Sequence, residues 1–187
     1  MYILPGLAVS DKTINITQPL LPYWQRYYNL DYGQVSWVFA MTVPGYTLAA
    51  VLNGRIVHRF GRRGASAIIA SGRICVYVIT IFHPPYPVIA STAIISGFSV
   101  AVMDASYNSW IGGVMENSAV LLGCMHACYG LGSLSSPLVL GALVEYRGLP
   151  WWYLHYVLVS VDLLNCAECP SRLVWVTIGL TITQFIV

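Results

Sequence analysis

Charged side chains are scarce in this 187-residue chain. Only 9% of its residues are charged, namely nine Lys and Arg and seven Asp and Glu, whereas a soluble domain carries about 25%. Such a small number cannot cover a soluble domain with a polar shell, because hydrophobic residues make up 57% of the chain. The net charge of +2 is also too small to indicate a nucleic-acid partner. We therefore expect most of the chain to be surrounded by lipid.

Cysteines and chemically reactive groupings are equally sparse. Cys75, Cys124 and Cys128 lie in apolar runs, where they resemble small hydrophobic residues. Cys166 and Cys169 form a single C-x-x-C pair, which cannot complete a four-ligand zinc site. We recognise no nucleophile–base pair, phosphate-binding loop or metal-ligand cluster in the sequence. It therefore predicts no enzyme, no catalytic residue, no metal site and no cofactor.

Long apolar runs are what the sequence has in abundance. One membrane crossing needs about 20 apolar residues, and the chain divides into about six such runs separated by short loops. The runs cover residues 2–24, 35–57, 64–82, 88–114, 119–144 and a segment that begins at 151. The first and sixth runs are atypical because polar residues interrupt them. The prediction is an all-α membrane protein with one six-helix bundle over residues 1–165 and a divergent apolar tail over residues 166–187.

Loop charge and aromatic residues predict the orientation. The loop between the second and third runs carries four arginines, whereas loops on the opposite side carry only Arg26 and Arg147. The positive-inside rule therefore places the arginine-rich loop in the cytoplasm. Aromatic residues near 23–28 and 151–153 would then form a belt at the outer interface. This pattern predicts a multi-pass protein but does not distinguish the plasma membrane from an organelle membrane.

The fourth run contains a carboxylate on a face of small and polar residues. Gly97, Ala101, Asp104, Ala105 and Asn108 recur at helical spacing and share one face. A carboxylate within hydrocarbon costs at least about 2.5–3.5 kcal/mol, so it should face a cavity or a partner. Two interpretations stay open, since these groups could join helices together or line a solute path. We prefer the solute path.

Two further polar residues lie at a depth similar to that of Asp104. At about 1.5 Å per residue, Asp104 and Arg73 lie about 14–15 Å from the cytoplasmic ends of their helices, and His126 about 11–12 Å. A layer with an acid, a base and a titratable ring is what proton-coupled transport requires. A static buried network would contain the same groups. We predict an intramembrane ion pair between Arg73 and Asp104, with His126 as the more mobile group.

The arginine-rich loop has the sequence GRIVHRFGRR over residues 54–63. This sequence resembles the G-x-x-x-D-R-x-G-R-R loop between helices two and three of major facilitator superfamily transporters. The resemblance implies a conformational latch built on charge pairing. A histidine replaces the acidic residue of that motif, which would weaken the latch or make it depend on pH, because histidine titrates near neutrality. The alternative is an ordinary basic cytoplasmic loop. The residues concerned are Gly54, His58, Arg59, Gly61, Arg62 and Arg63.

Several stretches together resemble a narrower group, the fungal facilitator transporters related to fucose-type sugar permeases. The most specific are residues 20–25 (LLPYWQ), 104–110 (DASYNSW) and 122–130 (LGCMHACYG), within a likeness that covers about residues 15–165. The resemblance implies a twelve-helix carrier with alternating access, of which this chain would be the amino-terminal bundle. It also implies a small polar solute, a sugar, moved alone or together with a proton. The residues implied to line the central cavity are Asp104, Asn108, His126, Tyr107, Trp110 and Tyr129.

A single half-bundle presents only one wall of a site that such carriers build between two halves. The expected partners are therefore the lipid bilayer, the polar solute and a second transporter half. Two other functions stay open. The chain could be a non-transporting membrane scaffold, or half of a drug-type antiporter, whose fifth helix has a glycine-proline pattern that Gly123, Gly132, Pro137 and Gly141 partly follow. The sequence identifies neither the solute nor the coupling ion.

Overall fold

The regular elements of the protein are all helical in the residues described by its structure, a computed structural model covering residues 17–114 and 118–167. They are α1 (Thr17–Tyr28), α2 (Tyr32–Val35), α3 (Trp37–Ile81), α4 (Tyr86–Val114), α5 (Ser118–Gly141), a π-helical turn (Ala142–Tyr146) and α6 (Tyr153–Ala167). The predicted all-α class is confirmed. Most of the first predicted run, and the predicted tail beyond its first two residues, lie outside the described residues.

Four helical segments are long and apolar enough to cross a membrane. They are Tyr32–Gly61, Gly64–Ile81, Tyr86–Gly113 and Ser118–Tyr146. These segments coincide with the second to fifth predicted runs. The first and sixth runs correspond to α1 and α6, which contribute 12 and 15 described residues.

The arginine-rich segment is shorter than a conventional loop. Helix α3 extends over 45 residues but is kinked at Gly61, whose φ of 66° and ψ of −177° are not helical. Only glycine adopts this backbone conformation without strain, because a Cβ would clash with the backbone. The second and third spans are therefore two helical segments joined by a sharp turn at Gly61.

Helices α3 and α4 form the most extensive helix pair of the bundle. Their backbones approach closely at glycines. A Cβ on Gly97 would lie 2.5 Å from the Thr42 carbonyl oxygen, and a Cβ on Gly45 would lie 2.7 Å from the Phe98 nitrogen. Small residues permit this approach in a membrane, where packing rather than the hydrophobic effect holds helices together.

The end of the bundle opposite Gly61 is built from aromatic residues. Trp24 of α1 and Trp151, just before α6, are only 4% and 5% exposed, and their rings pack edge to face at 6.2 Å. The Tyr86 hydroxyl donates to the Val35 carbonyl at 2.6 Å. The predicted aromatic belt is therefore partly an interior cluster, since these two tryptophans face other helices rather than the membrane interface.

Candidate functional site

The Asp104 cluster, which comprises Asp104, Tyr46 and His126, joins three helices. Asp104 of α4 is half-buried, the hydroxyl of Tyr46 on α3 donates to its carboxylate, and His126 of α5 lies within range of its charge. Tyr46 is 41% exposed and His126 is also exposed. The cluster therefore lies at the surface of this half-bundle. Polar groups from three apolar helices converge there.

A further side-chain hydrogen bond joins α3 to α4 beside the cluster. The hydroxyl of Ser106 on α4 donates to the Asn53 amide oxygen on α3 at 3.1 Å. Asn108 lies one turn beyond Asp104 on the same face of α4 and is half-buried. These polar residues extend the polar surface along α4 toward its end.

The aromatic residues proposed to face a solute occupy the contact between α4 and α5. Tyr107 and Trp110 are half-buried and pack against a small core formed by Ile111 and Met125. Tyr129 lies in α5, and its side chain is outside the described part of the structure. The roles assigned to these aromatic residues stay predictions.

The ion pair of Arg73 differs from the predicted one. Its Nη2 lies 3.0 Å from Oδ1 of Asp162 on α6, and both side chains are at most 5% exposed. The predicted pairing with Asp104 is therefore wrong. Gly72 packs directly against Ser99 of α4, which places Arg73 level with Ser99. Asp104 lies five residues, or about 7–8 Å, further along α4, where Tyr46 is its partner.

A small cavity lies beside the Arg73–Asp162 pair, between α1, α3, α4 and α6, and is lined by both apolar and polar residues. Its volume is about 60 Å³, which is enough for a few water molecules but too small for a sugar. The polar residues that line it are Thr42, Arg73, Tyr77, Thr80, Thr92, Ser96 and His155. The Asp104 cluster is therefore the better candidate for contact with a solute.

The arginine-rich motif lies around the kink in α3. His58 and Arg59 are exposed, and the Arg59 guanidinium lies 5.9 Å from the centre of the Phe60 ring. Gly54 lies in the helix before the kink, in open space, and Gly61 forms the kink itself. The side chains of Arg62 and Arg63 are outside the described part. A latch at this segment stays a prediction.

Sequence reasoning did not identify Tyr46 or Asp162 as partners of the two intramembrane ions. Asp162 could have been found by matching charges, because a carboxylate in an apolar helix requires a partner and Arg73 is a cation at a comparable depth. No feature of the sequence identifies Tyr46 as the partner of Asp104, because tyrosines are numerous in this chain. Only the close approach of α3 to α4 brings this tyrosine to the carboxylate.

The bundle of apolar spans, with its ionic groups paired between helices, defines a multi-pass integral membrane protein. The sequence profile of the Major Facilitator Superfamily matches residues 3–177. The chain belongs to that superfamily. The narrower likeness to fucose-type sugar permeases stays a prediction.

A relative of the chain occurs in Saccharomyces cerevisiae (strain ATCC 204508 / S288c). It is Bypass of stop codon protein 6, which is 27% identical to this chain over 148 residues. The match covers 78% of this chain but 29% of the yeast protein. The chain thus spans less than a third of the length of the relative it matches.

Proposed function

We propose that this chain is the amino-terminal half-bundle of a secondary carrier that moves a small polar solute by alternating access. The observation that supports the proposal is the Asp104 cluster, in which three helices contribute polar groups to an exposed surface. An intramembrane carboxylate is costly unless it faces a cavity or a partner, and facilitator folds bind their substrates between two halves. The surface around Asp104 has the character of one wall of such a site.

Helix α5 supports this proposal because two of its exposed faces differ in chemistry. One stripe at helical spacing carries small and polar residues, namely His126, Gly130, Ser133 and Pro137. A second stripe carries large aliphatic residues that are 64–73% exposed, namely Val120, Leu131, Leu134 and Leu138. The aliphatic stripe is suited to lipid. The polar stripe is suited to a solute path and a second transporter half.

We propose a sugar as the solute, in line with the resemblance to fucose-type permeases. The Asp104 carboxylate and the Asn108 amide can hydrogen bond to hydroxyl groups. Tyr107 and Trp110 lie within two turns of Asp104 on the same helix and carry aromatic faces of the kind on which sugar rings stack. Asp104 and His126 are both titratable, which supports symport of a proton with the sugar.

Uptake into proteoliposomes tests this function. The purified chain is reconstituted at a density at which two copies can pair as the two halves of a carrier, and uptake of radiolabelled hexoses and deoxyhexoses is measured against concentration. We expect saturable uptake that falls about tenfold or more in Asp104→Asn, because a charged hydrogen bond contributes about 1.5–3 kcal/mol. Asp31→Asn is the matched control, since Asp31 is exposed at the start of α2 and far from the cluster.

The same measurements separate the alternatives. Uptake that never saturates with any sugar, and does not change in Asp104→Asn, would support a scaffold instead of a carrier. Competition by lipophilic cations, but not by sugars, would support an antiporter half. Unchanged pH dependence in both Asp104→Asn and His126→Ala would contradict proton coupling at this cluster.

A further inference from the structure

The part of α3 that leads to the kink exposes one continuous face. Leu48, Val51, Arg55 and His58 recur at intervals of three or four residues, and Arg59 lies one turn after Arg55, so that all five share this face. Leu48 and Val51 are 51% and 64% exposed, and the three basic residues are exposed as well. Together these five residues form the α3 stripe, which changes from aliphatic to basic toward the kink.

The length of the α3 stripe matches one leaflet of a bilayer. At about 1.5 Å per residue, Arg59 lies about 16 Å from Leu48 along the helix, and half of the hydrocarbon core is about 15 Å thick. The aliphatic end therefore lies level with acyl chains when the basic end lies level with headgroups. In the predicted orientation these headgroups belong to the cytoplasmic leaflet, which carries anionic phospholipids.

The basic end of the α3 stripe has no carboxylate partner in the described part of the chain. The acidic residues of that part are Asp31, Asp104, Glu145 and Asp162. The ion pair found there joins Asp162 to Arg73, and no carboxylate pairs with the α3 stripe. Arg55 and Arg59 are one helical turn apart, where like charges repel each other. An anion between them would remove this repulsion and accept hydrogen bonds from both guanidinium groups.

His58 makes this surface more suitable for an anion than the motif it resembles. The loop motif of the superfamily has an aspartate at this position, and a second negative charge there would repel a phosphate. His58 lies on the same face as Arg55 and directly precedes Arg59, and its ring is either neutral or positively charged. The change from aspartate to histidine therefore leaves a surface without negative charge at this end of the α3 stripe.

We propose that the α3 stripe binds an anionic phospholipid of the cytoplasmic leaflet. Arg55 and Arg59 bind the phosphate, His58 lies beside the headgroup, and the acyl chains lie along Val51 and Leu48. A free phosphate would use the basic end alone, whereas a phospholipid uses the whole α3 stripe, and this continuity favours the lipid. The proposal does not depend on transport by the chain, so it can fail while the proposed function stands.

Native mass spectrometry of the purified chain in detergent micelles tests the proposal. Phosphatidylserine and phosphatidylcholine are titrated separately, and the Kd of the first bound lipid is measured. We expect tighter binding of phosphatidylserine. The double variant Arg55→Gln, Arg59→Gln should weaken it about 25-fold, because each arginine near an anionic headgroup contributes about fivefold. The double variant Arg26→Gln, Arg147→Gln is the matched control, since it removes the same charge from exposed residues at the opposite end of the bundle.

Substitutions at His58 and soluble competitors complete the test. His58→Asp should weaken phosphatidylserine binding about fivefold or more, whereas the uncharged His58→Asn should leave it nearly unchanged. Inorganic phosphate and glycerophosphoserine, which lack acyl chains, should not displace the lipid at equal concentration. The proposal is overturned if both lipids bind equally, if the Arg55, Arg59 variant binds like the wild type, if the control variant weakens binding as much, if His58→Asp has no effect, or if inorganic phosphate displaces the lipid.

Discussion

The Arg73–Asp162 ion pair links the second half of α3 to α6, and both side chains are buried. Its two charged atoms are 3.0 Å apart, which corresponds to an attraction of about 5–6 kcal/mol at an effective dielectric constant of about 20. Desolvation of both ions offsets most of this attraction. We therefore expect the pair as a whole to contribute little net stability, although either ion alone would be strongly unfavourable.

Substitution of one partner tests this difference between the intact ion pair and a single buried ion. Asp162→Asn and Arg73→Met should each lower the free energy of unfolding by about 3–5 kcal/mol, because each leaves a buried group without its partner. The double variant Arg73→Met, Asp162→Leu should be as stable as the wild type, or more so, since it buries apolar side chains in place of ions. In a cycle closed with the single variant Asp162→Leu, the coupling energy between the two sites should therefore approach the sum of the two single effects.

Unfolding in mixed micelles of increasing SDS content measures these energies. Tryptophan fluorescence is a suitable signal, because Trp24 and Trp151 are buried and report on the packing of α1 and α6. Asp104→Asn in the Arg73→Met background is the critical control, and the two effects should be additive. A larger coupling of Arg73 to Asp104 than to Asp162 would refute the pairing described above, as would single effects below about 1 kcal/mol.

Three further substitutions test one α2–α4 contact, one α3–α4 contact and the backbone at the kink in α3, with the same unfolding assay. Tyr86→Phe should cost about 1–3 kcal/mol, because it leaves the Val35 carbonyl without its 2.6 Å donor. Gly97→Leu should cost about 3 kcal/mol or prevent folding, because its Cβ would lie 2.5 Å from the Thr42 carbonyl oxygen. Gly61→Ala should cost about 1–3 kcal/mol through backbone strain alone, because its φ is 66° and the space around it is open.

Each of these substitutions has a matched control in the chain. Tyr32→Phe removes a hydroxyl from a residue that is 80% exposed, and Gly112→Leu adds a side chain in open space. Gly54→Ala lies in the helix seven residues before Gly61, also in open space. Controls that destabilise the bundle as much as the test variants would contradict the assigned contacts.

The membrane spans were predictable because each crossing of the bilayer requires about 20 consecutive apolar residues. The fourth predicted run, 88–114, corresponds to the span Tyr86–Gly113, and the fifth, 119–144, corresponds to Ser118–Tyr146. The boundaries agree within three residues because prolines and polar residues interrupt the apolar runs. The kink at Gly61 was not predicted, since a helix broken at one residue and a short loop leave the same pattern in the sequence.

The side-chain partners were less predictable than the spans. Depth along a helix can be calculated from residue number, and it predicted similar depths for Asp104, His126 and Arg73. Depth gives neither the rotation of a helix nor its register against a neighbour. The rotation and register of a helix are determined by close contacts such as that of Gly72 with Ser99. In this chain they place Arg73 beside Asp162 instead of Asp104.

Helix α4 packs closely against α3 on both sides of the kink at Gly61. Contacts at Gly45 of α3 and Gly97 of α4 join it to the first half of α3. The contact between Gly72 of α3 and Ser99 of α4 joins it to the second half. Helix α4 therefore holds the two halves of α3 in place relative to each other, because either half could swing only by breaking these close contacts. We consequently expect α3 and α4 to tilt within the membrane as one stiff body, with bending confined to segments that α4 does not touch.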